Sequence, residues 1–240
     1  SEYGYKISSQ KKLPTPNKKN NGITIHNTET GEIVRKITIE EIIELSHKHG
    51  MDEVNSEINH VMFSPDSQRF AFVHRWYPKN KGRSSRLIVA DVLGDNLAVV
   101  LDDGMVSHYT WIADNKLFVY GRYNDKDQFI TITIDDKIEI SVHPELGGFG
   151  DGHPSYNINN NSIVFDSYPD MKRYQSLYKY DLKSSEVQEI GRFRSPLKYY
   201  GEKRCDLHPR WVDNGSAIVI DSTHNKMREV ILLRLPENYI

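Results

Sequence analysis

Short apolar runs alternate with polar turns along most of the chain, and four of the resulting segments share one phase. Each begins with a histidine, carries an aromatic residue three positions later, and passes through a polar turn into a β-rich apolar run. The four segments are His60–Val73, His108–Tyr120, His153–Asp166 and His208–Asp221. Because strand, turn and strand make a β-hairpin, each segment predicts one hairpin.

A second hairpin follows the first in most units, as in Leu87–Asp91 with Leu97–Leu101. The units recur at spacings of 48, 45 and 55 residues. Two hairpins per unit at this spacing predict the four-stranded blades of a β-propeller. A β-sandwich of short strands is the alternative, but the shared phase of histidine and aromatic residue favours the propeller.

The two ends of the chain predict incomplete blades. We expect a partial blade over 1–37, blades starting near 58, 106 and 151, and a last, incomplete blade starting near 206. All belong to one propeller domain over 1–240. Since closed propellers have 4–8 blades, about three full and two partial blades suggest the C-terminal part of a larger propeller. Alternatively, the N-terminal half-blade completes the last one and closes a small ring.

One helix is predicted near 38–49. Thr38 and Glu41 have the spacing of a capping box, Ile39, Ile42 and Ile43 form an apolar stripe, and Gly50 is a suitable stop.

Composition narrows the class of protein without identifying it. The chain has 240 residues, 38% of them hydrophobic and 27% charged, with a formal net charge of −2, which is typical of a globular domain. The near-neutral charge argues against general nucleic-acid binding. No apolar run reaches the roughly 20 residues of a membrane span. The single cysteine, Cys205, excludes an internal disulfide but leaves the compartment open.

The four equivalent histidines are the main candidates for chemistry. The first strand of a blade lines the channel, so His60, His108, His153 and His208 would point toward one axis. Convergent imidazoles favour a metal or acid–base site. Alternatively, each bonds a backbone carbonyl of the next blade. Asp166 and Asp221 end the second strands, where they would orient these rings or cap the strands.

A metal site is predicted around the last unit. Cys205, Asp206 and His208 lie within four residues, and His153 would join them from a neighbouring strand. Thiolate, imidazole and carboxylate together suit a transition metal such as zinc. Asp151 and His224 are candidates for the remaining ligands. The alternative for Cys205 is a buried free thiol that packs as a small hydrophobe.

Three loops combine basic and aromatic residues. They include Arg75 and Trp76 in the first, Tyr168 and Arg173 in the second, and Arg204 in the third. Arginine binds carboxylate or sulfate bidentately, and flat aromatic faces can stack on sugar rings. The charged residues of any one loop can be explained as ordinary solvent-exposed side chains. The three loops together favour the binding of an anionic oligosaccharide.

Several strings in these segments resemble the β-propeller polysaccharide lyases. The strings are Ile58–Asp66, His74–Trp76, Leu101–His108, Asp151–Ser155, Tyr168–Asp170 and Arg204–Trp211. They are similar to the ulvan-lyase-like propellers and, more distantly, to the oligogalacturonate lyases. Similar propellers also occur in bacterial surface-polysaccharide gene clusters. The resemblance covers most of the chain and implies a longer protein, in which upstream blades or a second chain would complete the propeller.

The resemblance implies β-elimination, in which a base removes the proton next to a uronate carboxylate while a positive group neutralises that carboxylate. The implied catalytic residues are His74 and His108 (base or carboxylate neutralisation), Tyr156 (acid or base) and Arg173 (carboxylate binding). The expected substrate contacts are His60, Arg75, Trp76, Tyr168 and Arg204. The expected ligands of a zinc or manganese ion are His153, Cys205, Asp206 and His208.

We therefore expect a polysaccharide lyase that binds and cleaves an acidic, uronate-containing polysaccharide. The alternative is a non-catalytic carbohydrate-binding or scaffold propeller in surface-polysaccharide assembly. A third interpretation, a propeller that binds a protein partner, predicts indifference to sugars.

Overall fold

The computed structural model describes residues 18–48, 50–51, 55–78 and 82–236. The predicted partial blade over 1–37 therefore begins in residues that lie outside the described part of the chain.

Antiparallel strands make up most of the described chain, and one α-helix interrupts them. The elements are β1 (Gly22–His26), β2 (Ile33–Thr38), α1 (Ile39–Leu45), β3 (Ser56–Phe63), β4 (Arg69–Trp76), β5 (Ser84–Asp91), β6 (Ala98–Leu101), β7 (Val106–Ala113), β8 (Lys116–Tyr123), β9 (Lys126–Ile134), β10 (Ile138–Val142), β11 (Ser155–Asn157), β12 (Ser162–Asp166), β13 (Tyr174–Asp181), β14 (Val187–Arg194), β15 (Arg210–Val212), β16 (Ala217–Ser222) and β17 (Glu229–Arg234).

Within each sheet, neighbouring strands follow one another in chain order, as in the blades of a β-propeller. Three sheets have four strands: β3–β6, β7–β10 and β11–β14. The described residues add a three-stranded sheet, β15–β17, and the two-stranded sheet β1–β2. This all-β architecture with one short helix confirms the predicted fold class. The hairpins form because polar turn residues such as Asn96, with φ 51°, adopt the left-handed region between apolar runs.

The predicted helix exists but is shorter than expected. The Thr38 side chain accepts a hydrogen bond from the backbone N–H of Glu41 (3.1 Å), as the capping motif predicts. The helix stops at Leu45 because Ser46 is extended, with φ −161°. Its buried face is Ile39, Ile42 and Ile43.

The chain divides into two compact units. Among the described residues, unit 1 comprises His108–Ile112 and 143–236, and unit 2 comprises Ala113–Val142 and the described residues between 18 and 107. In unit 2, helix α1 and strands β2, β4 and β5 share a core, formed by Ile37, Ile42, Phe70, Phe72, Ile88 and Ala90. In unit 1, the last two sheets share a core formed by Val164, Leu177, Leu207, Ile218 and Ile220. Leu207 belongs to the segment that carries three of the four predicted metal ligands, so burial of its side chain fixes that segment against the sheets.

Over the described residues, we find no helix with the length and hydropathy needed to cross a bilayer.

Candidate functional site

Three of the four equivalent histidines lie side by side in unit 1. The ring centroids of His108 and His153 are 4.1 Å apart, and those of His153 and His208 are also 4.1 Å apart. The rings are tilted by 50° and 58°, so they form a row with His153 at its centre. The sequence prediction that equivalent histidines come together is therefore met by these three.

Each histidine of the row reaches it from an equivalent point of its repeat. His108 lies early in β7, His153 lies just before β11, and His208 lies just before β15. His208 has a φ of 42°, in the left-handed region that non-glycine residues seldom adopt. Backbone strain of this kind costs about 1–3 kcal/mol and is concentrated at functional sites.

Asp166 holds two members of the row in place. Its carboxylate accepts hydrogen bonds from the backbone N–H of His153 (2.7 Å), from the Nδ1 of that residue (2.9 Å) and from the backbone N–H of His208 (3.0 Å). Its side chain is only 1% exposed. Gly152 allows this approach, because a Cβ there would lie 2.0 Å from the carbonyl oxygen of Asp166. The orienting role predicted for Asp166 agrees with these contacts.

The residues that best fit a metal ion are His153, Asp206 and His208. One ligand atom from each lies within 4.8 Å of the others. Because Asp166 takes the Nδ1 of His153, the Nε2 of that ring is the nitrogen left for a metal, the usual arrangement of a ligating histidine. Two imidazoles and a carboxylate suit zinc or manganese, so the donor set fits the predicted cofactor.

The third histidine of the row has its own carboxylate partner. The Nδ1 of His108 lies 3.1 Å from Oδ1 of Asp151, and the hydroxyl of Tyr168 donates to Oδ2 of the same carboxylate (3.3 Å). The guanidinium of Arg204 lies over the Tyr168 ring, 4.5 Å from its centroid, and pairs with Asp206 at 2.8 Å. An arginine and a tyrosine thus stand beside both the histidine row and a predicted metal ligand.

The surroundings give the three rings different proton affinities. Burial lowers the pKa of His108 and outweighs the hydrogen bond to Asp151. Burial, followed by the charge of His153, lowers the pKa of His208. Burial alone would lower the pKa of His153. The hydrogen bond to Asp166 and the negative charge of Asp166 outweigh burial, so the pKa of His153 is raised. His108 is therefore a neutral imidazole near pH 7, as a general base must be.

Four of the predicted site residues belong to unit 2. His60 is exposed on β3, with a φ of 54°. His74, Arg75 and Trp76 end β4 and are 0%, 9% and 3% exposed. The Nδ1 of His74 accepts a hydrogen bond from Nε of Arg86 (3.2 Å), and its ring stacks on Trp76. Such burial leaves the His74 ring no open face for a polysaccharide, and the roles predicted for these four residues stay predictions.

Two of the predicted catalytic residues make other contacts within unit 1. The hydroxyl of Tyr156 donates to Oδ1 of Asn161 in the turn between β11 and β12 (3.0 Å). The guanidinium of Arg173 donates to the carbonyl oxygens of Ser195 (3.0 Å) and Tyr199 (3.3 Å). These bonds give both residues a structural role, and their catalytic roles stay predictions.

Cys205 lies next to the metal-ligand residues but outside their group. It is 6% exposed, burial raises the pKa of its thiol, and its Sγ lies 3.9 Å from the carbonyl oxygen of Asp206. These observations match the alternative of a buried free thiol. His224, a further candidate ligand, has its Nδ1 2.9 Å from the hydroxyl of Ser222.

The structure gives Asp151 a partner that the sequence did not indicate. It was a candidate metal ligand beside His153, whereas the structure pairs it with His108, 43 residues earlier. No local sequence signal predicts this pair, because the two residues belong to different repeats.

The fold is similar to that of solved β-propeller proteins. An oligogalacturonate lyase in complex with manganese matches with a TM-score of 0.53 and 12% identity, over 91% of this chain and 72% of that one. The tricorn protease matches with a TM-score of 0.52 and 13% identity, over 88% and 23%. TolB from Acinetobacter baumannii matches with a TM-score of 0.48 and 12% identity, over 89% and 51%. The chain thus spans about half the length of that TolB.

At these identities the likeness establishes the propeller fold alone, since the matched proteins have different functions. No protein-family model matches the chain. A comparison with curated proteins also gave no match. The ulvan-lyase-like resemblance is therefore not confirmed, whereas oligogalacturonate lyase is among the structural neighbours.

Proposed function

We propose that the protein is a metal-dependent polysaccharide lyase that cleaves a uronate-containing glycan by β-elimination. The observation that carries the proposal is the row of His108, His153 and His208, which sets a neutral imidazole beside a group able to hold a metal ion. A solved oligogalacturonate lyase of similar fold is a complex with manganese, which supports the metal part of the proposal.

His108 is the base in this proposal. Asp151 accepts from its Nδ1, which leaves Nε2 unprotonated and able to take the proton from the carbon next to the uronate carboxylate. The electron pair of the broken C–H bond forms the new double bond, the glycosidic C–O bond breaks, and the leaving oxygen takes a proton from solvent. His108 must then lose its proton to solvent before the next turnover.

The remaining residues bind and orient the substrate. His153, Asp206 and His208 would hold a divalent cation, which when bound supplies positive charge that neutralises the uronate carboxylate and acidifies the neighbouring C–H bond. The guanidinium of Arg204 is fixed by Asp206 and Tyr168, so it can bind a second acidic group of the glycan without first being ordered.

A panel of uronate polymers tests the proposal. With added manganese or zinc, the wild-type protein should generate the ultraviolet absorbance of an unsaturated uronate. His108→Ala should reduce the rate by roughly 10²–10⁴-fold, the usual contribution of a general base. His224→Ala is the matched control, because it removes an imidazole from the same unit outside the row and should keep the activity.

The alternative, a non-catalytic carbohydrate-binding or scaffold propeller, predicts a different result. In that case the polymers bind but none is cut, with or without metal, and His108→Ala changes only affinity. That result would contradict the lyase proposal.

A further inference from the structure

Three loops at one end of unit 1 form a continuous surface, here called the loop face: 167–173, 195–204 and 223–228. The strand register puts the first two loops side by side, because Tyr174 pairs with Arg194 at one end of β13–β14. The third loop closes the hairpin of β16 and β17 in the next sheet, where Ser222 pairs with Glu229. The opposite end of the same sheets carries the turns 158–161, 182–186 and 213–216.

Hydrogen bonds tie the three loops to one another. Arg173 of the first loop donates to the carbonyl oxygen of Ser195 in the second (3.0 Å). Lys198 of the second loop donates to the carbonyl oxygen of Lys226 in the third (2.6 Å). Arg228 donates back to the carbonyl oxygen of Lys203 (2.8 Å). The loop face is therefore held as one surface rather than as three independent loops.

Large apolar side chains project from every loop of this face. Met171 is 102% exposed, Leu197 75%, Tyr200 74% and Met227 63%. Exposing apolar side chains to water is unfavourable in free energy, and a cluster of exposed apolar side chains marks an interaction surface. The turns at the opposite end hold one exposed large apolar side chain among the described residues, Ile158, which is 75% exposed.

The loop face is also the basic end of unit 1. Its three loops contain seven lysines and arginines and two acidic residues, although the whole chain carries a formal net charge of −2. The opposite turns contain one basic residue, Lys183, and two acidic ones, Glu186 and Asp213. A partner complementary to the loop face would be negatively charged and able to take up aliphatic side chains.

We propose that the loop face docks on an anionic lipid surface. Apolar side chains that enter the acyl boundary and lysines that pair with anionic headgroups are the two signals that together give stable peripheral binding. A free anionic glycan is the less suitable occupant, because three of the four exposed side chains, Met171, Leu197 and Met227, lack the flat aromatic face that stacks on a sugar, and only Tyr200 offers one. This inference does not rest on the proposed lyase activity, although the loop face contains Arg204 and Tyr168, which the proposed function also uses.

Vesicle flotation tests the apolar part of the inference. The full chain should float with vesicles of phosphatidylcholine and phosphatidylglycerol, and not with phosphatidylcholine alone. Leu197→Asp should weaken partitioning by about tenfold or more, because it removes an apolar side chain that would enter the acyl boundary and adds a negative charge that the anionic headgroups repel. Ile158→Asp is the matched control at the opposite end, with equal exposure, and should bind as the wild type does.

Charge variants test the electrostatic part. Lys226→Gln should weaken binding by about fivefold, the expected contribution of one basic residue near an anionic surface, whereas Lys183→Gln should have no effect. Binding should weaken as salt is added.

Several results would overturn the inference. They are equal flotation with neutral and anionic vesicles, equal partitioning of Leu197→Asp and Ile158→Asp, and binding of soluble anionic polymers without any binding to vesicles. A dimer that Leu197→Asp converts to a monomer would assign the loop face to a second copy of this chain instead.

Discussion

His74 illustrates how much the surroundings of one residue decide its chemistry. It lies in β4 with no exposed surface, and its Nε2 has no hydrogen-bond partner among the described residues. Burial, helped by the positive charge of Arg86, lowers the pKa of His74 to about 3. The ring is therefore neutral in the folded protein at every pH at which the protein would work.

This lowered pKa makes folding stability depend on pH. The unfolded chain binds a proton at His74 below about pH 6.5, while the folded chain does not until about pH 3. The free energy of unfolding should therefore be highest above pH 6.5 and should decrease as the pH is lowered. At pH 5 the contribution of His74 to this decrease should be about 2 kcal/mol.

Urea unfolding of wild type and His74→Asn at pH 7 and pH 5 measures this effect. Asparagine keeps an acceptor for Arg86 but cannot titrate, so the variant should lose about 2 kcal/mol less than the wild type between the two pH values. Equal losses would mean that the ring is protonated in the folded state.

At the scale of an element, helix α1 also depends on residues outside it, in this case for its stability. It has seven residues, too few to be stable alone, and its last carbonyl groups need donors from elsewhere. Arg86 of β5 supplies them, since its guanidinium donates to the carbonyl oxygens of Ser46 (2.5 Å) and Ile42 (2.6 Å). The Arg86 side chain is fully buried, so it links the helix to the sheet.

Arg86→Met should therefore be strongly destabilising. Two carbonyl oxygens and the Nδ1 of His74 would lose their donor in a buried site, at a cost of about 3 kcal/mol or more. Arg122→Met is the control, because the pair of Arg122 with Asp127 is about 40% exposed and contributes at most about 1 kcal/mol. Denaturant midpoints of the two variants that shift by similar amounts would refute the linking role.

At the scale of the whole molecule, the candidate metal group joins distant parts of the chain. His153 precedes β11 of one sheet, whereas Asp206 and His208 precede β15 of the next. A cation bound by all three would stabilise only the folded state, because the unfolded chain does not keep these ligands together.

Thermal unfolding with added manganese or zinc tests this coupling. The metal should raise the melting temperature, with about 2.7 kcal/mol of stabilisation when its concentration is 100 times Kd. His208→Ala should abolish the increase and lower the metal content of the purified protein, while His224→Ala should do neither. A melting temperature that no divalent ion changes would remove the metal from the proposal.

The sequence alone was sufficient to predict the periodic features of the fold. Alternating apolar runs and polar turns specify hairpins locally, so the four-stranded blades, the Thr38 cap and the shared phase of the histidines could all be predicted. The same repeat put His108, His153 and His208 at equivalent positions, and equivalent positions of successive blades lie close together.

Only the tertiary structure decided which side chains face each other and which are buried. Cys205 and Asp206 are neighbours in the chain, yet only Asp206 joins the metal-ligand group. His74 lies in a strand that is buried along nearly its whole length. The alternation of apolar and polar residues therefore could not predict whether the His74 side chain is buried or exposed. The partner of His108 is 43 residues away. Hydrogen bonds and burial between residues far apart in sequence depend on how sheets pack, and a local pattern of apolar and polar positions does not contain that information.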